Sequence, residues 1–398
     1  MTDILLKEIK EIEGELIEVR RALHRIPEIG DRLPRTKAFV CDYLKNIGVP
    51  YREIEDSDAI IADVCGSGEG KTVAFRADMD ALHICEATGL PFSSEIEGHM
   101  HGCGHDAHTA MLLLTAKLLA SHRDRFCGRV RCIFQTGEEI GTGAKKVIAA
   151  GGADGVDAMF AIHVGNLAGD SLSAGEFAIL PGYVSSKKVK FNITVKGKGT
   201  HSAFPEKGID PIIVAAKILV GFKDIMDKEI PRGAAAILSV GCVHAGEDHN
   251  TIPETATIHG SFRTHDIEIS ELLTRRVEEI SHAFAEEVGA KCIIEMKNGS
   301  PSVRNDEKMA AFAVEAVSDV FGKESVRTSL PRPLMASDDF SFFANAVPSV
   351  YFMLHTNNEA KGMVEANHNP HFDVDEDVLY RGVAAYCAIA MKFLEQSR

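Results

Sequence analysis

Over its first part the chain alternates short apolar runs with helical patterns. Ile60–Val64, Thr72–Ala77, Val130–Phe134 and Ala158–Ile162 are runs of the length and composition of buried strands. Between and around them, Leu6–His24, Thr36–Asn46, Ala107–Ser121 and Gly143–Ala150 repeat apolar residues at helical spacing. Gly151-Gly152 follows the last of these as a helix stop. Strands with little polar alternation, separated by helices, predict a mostly parallel sheet with helices on both faces.

The pattern changes after Pro181. Lys187–Lys196 alternates polar and apolar residues, as a half-exposed antiparallel strand does. A helix from about Asp210 to Lys228, strands Ala235–His244 and Thr255–Thr264, a helix Ile269–Val288 and a strand Lys291–Lys297 follow. That β-α-β-β-α-β order predicts a ferredoxin-like α+β unit. After Pro301 the chain returns to helix, then a strand at Ser349–Leu354 and a last helix from about Glu376. The reading is an α/β domain in two segments, 1–183 and 299–398, with a smaller α+β domain inserted at 184–298.

A chain of 398 residues, 45% hydrophobic and 25% charged, has ordinary globular usage and excludes disordered or fibrous classes. Lys plus Arg number 43 and Asp plus Glu 58, a net charge of −15. So acidic a chain lacks the basic footprint for nucleic acid or anionic lipid. The first residues, through Arg21, form a charged amphipathic helix without the apolar core of a signal peptide. The most apolar run, MLLLTAKLLA, is broken by Lys117 and too short to span a bilayer. A soluble cytoplasmic protein is expected, with its 9 scattered cysteines reduced.

Acidic and imidazole residues gather where the predicted strands end. Thr72–Ala77 runs into Asp78 and Asp80, Val130–Phe134 into Gln135 and the pair Glu138-Glu139, and Ala158–Ile162 into His163. The glycine-broken loop before Met111 adds His99, His101, Cys103, His105 and His108. Ligands of open α/β sheets bind outside the carboxyl ends of strands. A lone histidine there would read as structural; three strand ends and a loop converging on one edge read as a site. Thiolate, imidazole and carboxylate together suit a borderline-soft divalent ion, above all Zn²⁺. Adjacent Glu138 and Glu139 cannot face one ion alike, so one can bind metal while the other takes a proton from water. This chemistry points to metal-assisted hydrolysis of a carbonyl compound.

These residues sit in stretches that resemble the aminoacylase/carboxypeptidase-type metalloamidohydrolases. The nearest branch is that of hippurate hydrolases, N-acetyl-diaminopimelate deacetylases and plant auxin-conjugate hydrolases. The stretches are RRALHRIPEIG at Arg20–Gly30, FRADMDAL at Phe75–Leu82, HGCGHDAHTAML at His101–Leu112 and GEE at Gly137–Glu139. They continue with HSAFPEKGIDP at His201–Pro211, NTIPETA at Asn250–Ala256, ASDDFSFF at Ala336–Phe343 and HNPHFDVDE at His368–Glu376.

The resemblance implies a zinc-peptidase-like catalytic domain and an inserted lid that also dimerises, hence a homodimer or higher homo-oligomer. It implies two divalent metal ions per subunit, Zn, Mn, Ni or Co. Cys103 resembles the bridging ligand, where relatives outside this branch use Asp. His105 would complete one metal's set and His163 the other's, with Glu139 a metal carboxylate and His368, rather than His371, the last ligand. Glu138 resembles the general base and Asp78 an outer carboxylate that orients the ligands. His201 resembles the stabiliser of the tetrahedral intermediate, and Asn250 and Arg263 substrate contacts. Thr136-Gly137 stands where the branch commonly has Pro-Ala, His83 where Pro is common, and His99 is an added imidazole. These departures bear on substrate preference.

The leading expectation is an amidohydrolase that cleaves N-acyl amino acids to a carboxylic acid and a free amino acid. A dipeptidase or carboxypeptidase on the same scaffold is the near alternative. A hydrolase with Cys103 as nucleophile would survive EDTA. A non-catalytic metal-binding relative would have no need of Glu138.

Overall fold

The computed structural model describes residues 2–167 and 171–395, with side chains from residue 6 onward; Met1, at the head of the first amphipathic stretch, lies outside them. The chain forms two compact units, one of residues up to Val184 and from Val303 on, the other Ser185–Ser302. The first unit opens with α1 (Thr2–Glu11), α2 (Glu13–His24), α3 (Pro34–Asn46), β1 (Tyr51–Glu53), β2 (Ile60–Cys65) and β3 (Thr72–Asp78). It continues with α4 (His105–Ser121), β4 (Arg129–Gln135), α5 (Gly143–Ala149), β5 (Ala158–Gly165) and β6 (Phe177–Ala178). The second unit holds β7 (Lys187–Lys196), α6 (Pro211–Lys228), β8 (Ala236–Ala245), β9 (Thr255–Thr264), α7 (Ile267–Glu286) and β10 (Lys291–Asn298). The first unit then resumes with α8 (Glu307–Phe321), β11 (Val326–Arg327), α9 (Ser341–Ala346), β12 (Ser349–His355) and α10 (Leu379–Glu395).

The large sheet runs β1-β2-β4-β3-β5-β12-β6-β11, with β4, β3, β5 and β12 parallel. Its central strands are mostly apolar because both faces are covered. Along β3, Val73, Phe75 and Ala77 enter the core shared with α4 and α10, while Ala74 enters the core shared with α5 and α9. β12 divides likewise, Val350, Phe352 and Leu354 to one side and Tyr351 and Met353 to the other. The stretch read as one helix from Leu6 to His24 folds as two, broken at Ile12 (φ −102°, ψ 7°). The reason is packing: α1 lies on α10 and α2 on α4. The last helix starts at Leu379 because Asp375 caps a separate turn at Glu376–Val378.

In the second unit the sheet order is β8-β9-β7-β10, all antiparallel, which is the ferredoxin-like arrangement. Phe191, Ile193, Ile258 and Phe262 pack against Ile218 and Phe222 of α6 and Leu273 and Val277 of α7. Asp210 and Asp266 cap the two helices by accepting from backbone amides. Among the described residues no helix is long and apolar enough to cross a membrane.

One feature of the large sheet creates a crevice. β3 pairs with β5 from Val73–Ala158 only as far as Arg76–Ala161. Beyond that point β3 stays with β4 to Asp78, and β5 stays with β12 to Gly165. β4 and β5 lie on opposite sides of β3, so this is the switch point of the sheet. The buried amides freed by the parting find other acceptors. Ile162 N donates to the Tyr386 hydroxyl of α10 at 2.8 Å, and Val164 N to His108 Nε2 of α4 at 2.8 Å. Tyr386→Phe should therefore strand the Ile162 amide and lower stability by about 1–3 kcal/mol. Urea unfolding measures this, and an unchanged midpoint would mean that the amide has another acceptor.

Candidate metal centre and its carboxylate network

The start of α4 fills the gap between β3 and β5. Gly104 (φ 87°) makes the entry, and a Cβ there would stand 2.4 Å from Val164 Cγ2, so only glycine lets the loop lie on β5. Cys103 Sγ comes to 3.5 Å from His163 Nε2. His105 Nδ1 donates to the Asp80 main-chain oxygen at 2.8 Å, and His163 Nδ1 to the Val164 oxygen at 2.7 Å. Both rings therefore turn Nε2 inward, the tautomer that second-shell carbonyls impose on metal-ligating histidines.

The remaining candidate ligands close round the same space. Cys103, His105 and His163 offer ligand atoms within 4.8 Å of one another, as do Cys103, Glu139 and His368, and His105, Glu138 and Glu139. His368 Nε2 lies 3.4 Å from Glu139 Oε1. His368 is the one non-glycine residue with positive φ (71°) among the described residues. Its amide donates to Gly102 O at 2.7 Å, and neighbouring Asn367 donates to Cys103 O and Val164 O, both at 3.2 Å. These anchors offset the strain and aim the ring. His371 is exposed and belongs to none of these groups.

Asp80 builds the glutamate turn. Its carboxylate accepts the amides of Glu138 and Glu139, each at 3.1 Å, while its own carbonyl fixes His105. One buried residue thus sets the direction of an imidazole and of two carboxyls. In the sequence Asp80 stands just past the strand end without a distinct task, and its two-residue spacing from Asp78 is the signal it offers. The turn sends Glu139 to Cys103 and His368, and Glu138 towards Asp338 and Asp339.

Asp78 takes its place in a buried ion network. It accepts from His108 Nδ1 at 2.5 Å and pairs closely with Arg76, and its Oδ2 lies 3.6 Å from His105 Nε2. His108 accepts from Val164 N with its other nitrogen, so it has no lone pair left for a metal despite standing among candidate ligands. Arg76 also reaches Asp339 at 3.0 Å and Asp338 at 3.3 Å. Gln135 and the Ala144 amide complete the shell of Asp339. Asp338 and Asp339 lie in the ASDDFSFF stretch, which carried no residue-level expectation because only the fold brings it to β3.

The charges of the centre follow from this crowding. Burial pushes the Glu138 carboxyl well above the usual carboxylate range, reinforced by Asp338 and Glu139. Burial also lifts Asp339, to about 7, against the pull of Arg76. Glu139 is opposed by burial, yet its bond to His368 and the charge of His105 hold it low. Hydrogen bonds to Cys103 and Glu139 raise His368 to about 10. Burial and neighbouring His108 keep His163 neutral. His105 Nε2 is buried with no hydrogen-bond partner among the described residues. A donor set of thiol, imidazoles and carboxylate with an inward orphan nitrogen fits a divalent cation.

Behind the centre, Arg20 donates to Asp106 at 2.8 Å, Asp373 at 2.9 Å and Glu376 at 3.0 Å, and His24 Nδ1 to Asp106 at 2.8 Å. The Arg20–Gly30 stretch thereby ties the start of α4 to Asp373 and Glu376 in the segment that follows His368. In the second unit, His201 and Asn250 adjoin on a short ribbon in which His201 pairs with Thr251. His201 Nδ1 accepts from Ala203 N at 3.0 Å. Arg263 lies on β9 opposite Lys188, half-buried, and burial lowers its pKa.

Residues 74–392 match peptidase family M20/M25/M40. Thermostable carboxypeptidase 1 of Saccharolobus solfataricus is 36% identical over 397 residues, 99% of each chain. N-acetyl-L-cysteine deacetylase of Bacillus subtilis is 34% identical over 374 residues, 93% of this chain and 86% of that one. A solved Bacillus subtilis structure, described as a dinuclear metal-binding peptidase of the M20 family, superposes with a TM-score of 0.81 at 30% identity, covering 97% of this chain and 99% of that one.

Arg76 is the cation that balances three buried carboxylates. Arg76→Met should cost about 3–5 kcal/mol of stability, because it leaves buried charge unpaired. Protonating Asp339 relieves that charge, so the loss should be largest above pH 7 and shrink as the medium is acidified. Denaturant unfolding at pH 5.5 and pH 8 measures both, and a loss that grows on acidification would contradict this account.

Proposed function

The chain belongs to peptidase family M20/M25/M40, and we propose that it is a two-metal amidohydrolase that cleaves N-acyl amino acids to a carboxylic acid and a free amino acid. The observation that carries this is the glutamate turn: one Asp80 carboxylate sends Glu139 among Cys103, His105 and His368 and leaves Glu138 beside the same space. Cys103, His105, Glu139, His163 and His368 would hold the ions, with Cys103 shared between them. When bound, the ions acidify water and polarise the scissile carbonyl. Glu138 takes the proton of the attacking water and returns it to the leaving amine, a task suited to a carboxyl whose pKa is raised. Asp80 and Asp78 hold His105 and the glutamates in position. In the second unit His201 donates to the oxyanion, Asn250 contacts substrate, and Arg263 pairs with the substrate carboxylate. That unit serves as lid and dimerisation surface.

The thiol-nucleophile reading has little support. Cys103 is buried and burial pushes its thiol up, the reverse of activation. The N-acyl substrate class is supported by the deacetylase relative, and a carboxypeptidase reading by the relative from Saccharolobus solfataricus. Both release an amino acid from an amide. The two part in a panel of N-acetyl, N-benzoyl and indole-acetyl amino acids and dipeptides, assayed after EDTA treatment and metal return. Faster turnover of acyl amino acids is expected, and a dipeptide optimum would overturn the substrate class.

The two glutamates should separate on substitution. Glu138→Gln should retain its metal content and lose at least about 10²-fold in kcat, since an amide cannot take the proton. Glu139→Gln should lose metal as well. Elemental analysis beside kinetics decides, and equal metal loss in both variants would reverse the assignment.

A further inference from the structure

The sheet of the second unit carries a cluster of ligating side chains that the proposed reaction does not use. β8 pairs with β9 in one register up to Val240–Gly260 and in another from Cys242–His259, so Gly241 forms a bulge. Before the bulge, Leu238 and Val240 stand opposite Phe262 and Gly260, on the face packed against α6 and α7. Beyond it, Val243 stands opposite buried Ile258, and Cys242 and His244 turn to the other face. The extra residue is what brings a thiol and an imidazole side by side on the outer surface of the sheet.

There Cys242 lies directly across from His259 of β9. The same row continues to Asn192 of β7 and Glu295 of β10. Cys242 Sγ is 2.7 Å from His244 Nε2. The His244 and His259 rings are 6.5 Å apart, inclined at 64°. His259 Nδ1 is 2.7 Å from Asn192 Oδ1. That oxygen only accepts, so His259 holds its proton on Nδ1 and leaves Nε2 as a lone pair. This is the outer-shell carbonyl that orients metal-ligating histidines elsewhere.

We propose that Cys242, His244 and His259 form a separate binding site for a soft divalent cation such as Zn²⁺. Two ligands come from alternate positions of one strand and the third from the strand beside it, so all three project from one rigid face. A thiolate with two imidazoles selects Zn²⁺ over Mg²⁺ or Ca²⁺. The His244 and His259 rings, with centroids 6.5 Å apart, must turn towards each other for Zn–N bonds of about 2.0–2.1 Å to form. His244 and His259 are exposed and Cys242 is half-buried, so a fourth position stays open to water or to a further ligand. None of the three lies in the motif stretches that carry the family resemblance.

The test compares the wild-type enzyme with Cys242→Ser, His244→Gln and His259→Gln. Each is loaded with Zn²⁺, freed of loose ion by gel filtration and analysed for zinc per chain. The wild type should hold one zinc per chain more than each variant, while all four turn over substrate equally. With Co²⁺, the thiolate charge-transfer absorption should fall in Cys242→Ser although Cys103 is intact. The count is a difference between proteins that share the catalytic centre, so it does not depend on what that centre holds. Wild-type zinc content in Cys242→Ser, with undiminished cobalt absorption, overturns the site and leaves only a thiol–imidazole hydrogen bond.

Discussion

The early end of pairing between β3 and β5 is the constraint on which the rest of this structure depends. A continuous ladder would have closed the sheet and left no place for a site. Because the strands part after Ala161, two buried amides need new acceptors and a gap needs filling. Tyr386 and His108 supply the acceptors, and the start of α4 supplies the filling. The same insertion that satisfies the backbone brings Cys103 and His105 to His163. Structural necessity and candidate chemistry are here one arrangement.

The centre is also an electrostatic compromise. Asp78, Asp338, Asp339, Glu138 and Glu139 crowd a region from which water is largely excluded. Arg76 compensates Asp78, Asp338 and Asp339, burial favours the protonated form of Glu138, and His368 and His105 keep Glu139 charged. The pKa of His368 is raised by its hydrogen bonds to Cys103 and Glu139, which favour its charged form. A divalent ion would take over that role and release the proton, so ion binding and protonation compete for the same electron pairs. Asp80 serves a different end. Its carboxylate accepts two backbone amides and lies 3.5 Å from His105 Nδ1, so its work is to set the direction of the glutamate turn beside that ring.

In the second unit a single added residue redirects chemistry. Gly241 changes the phase of β8, and the side chains beyond it exchange faces. Without the bulge Cys242 and His244 would face the helices and Val243 the outer surface. The strand pattern Ala235–His244 reads as plain alternation, because a bulge changes pairing rather than composition.

The sequence by itself determined the elements and the cast. Apolar period placed the strands and helices, since strand and helix each bury residues at a fixed local repeat. Strand-end acids, the Cys103 loop and His163 marked an edge, because residues at the ends of parallel strands must converge. The division of Leu6–His24 into two helices was not legible, because it follows from which partner each half packs on. Nor were the tasks of Asp80, Arg76, His108, Asp338 and Asp339. Asp339 meets Gln135 across 204 positions of chain, and no local pattern encodes such a distance. His108 looks like a ligand in the sequence and is not free to be one in the fold, since its second nitrogen serves Val164 N. Which atoms are spent on hydrogen bonds and which remain for chemistry is a property of the packed structure alone, because only packing decides which partners a buried group can reach.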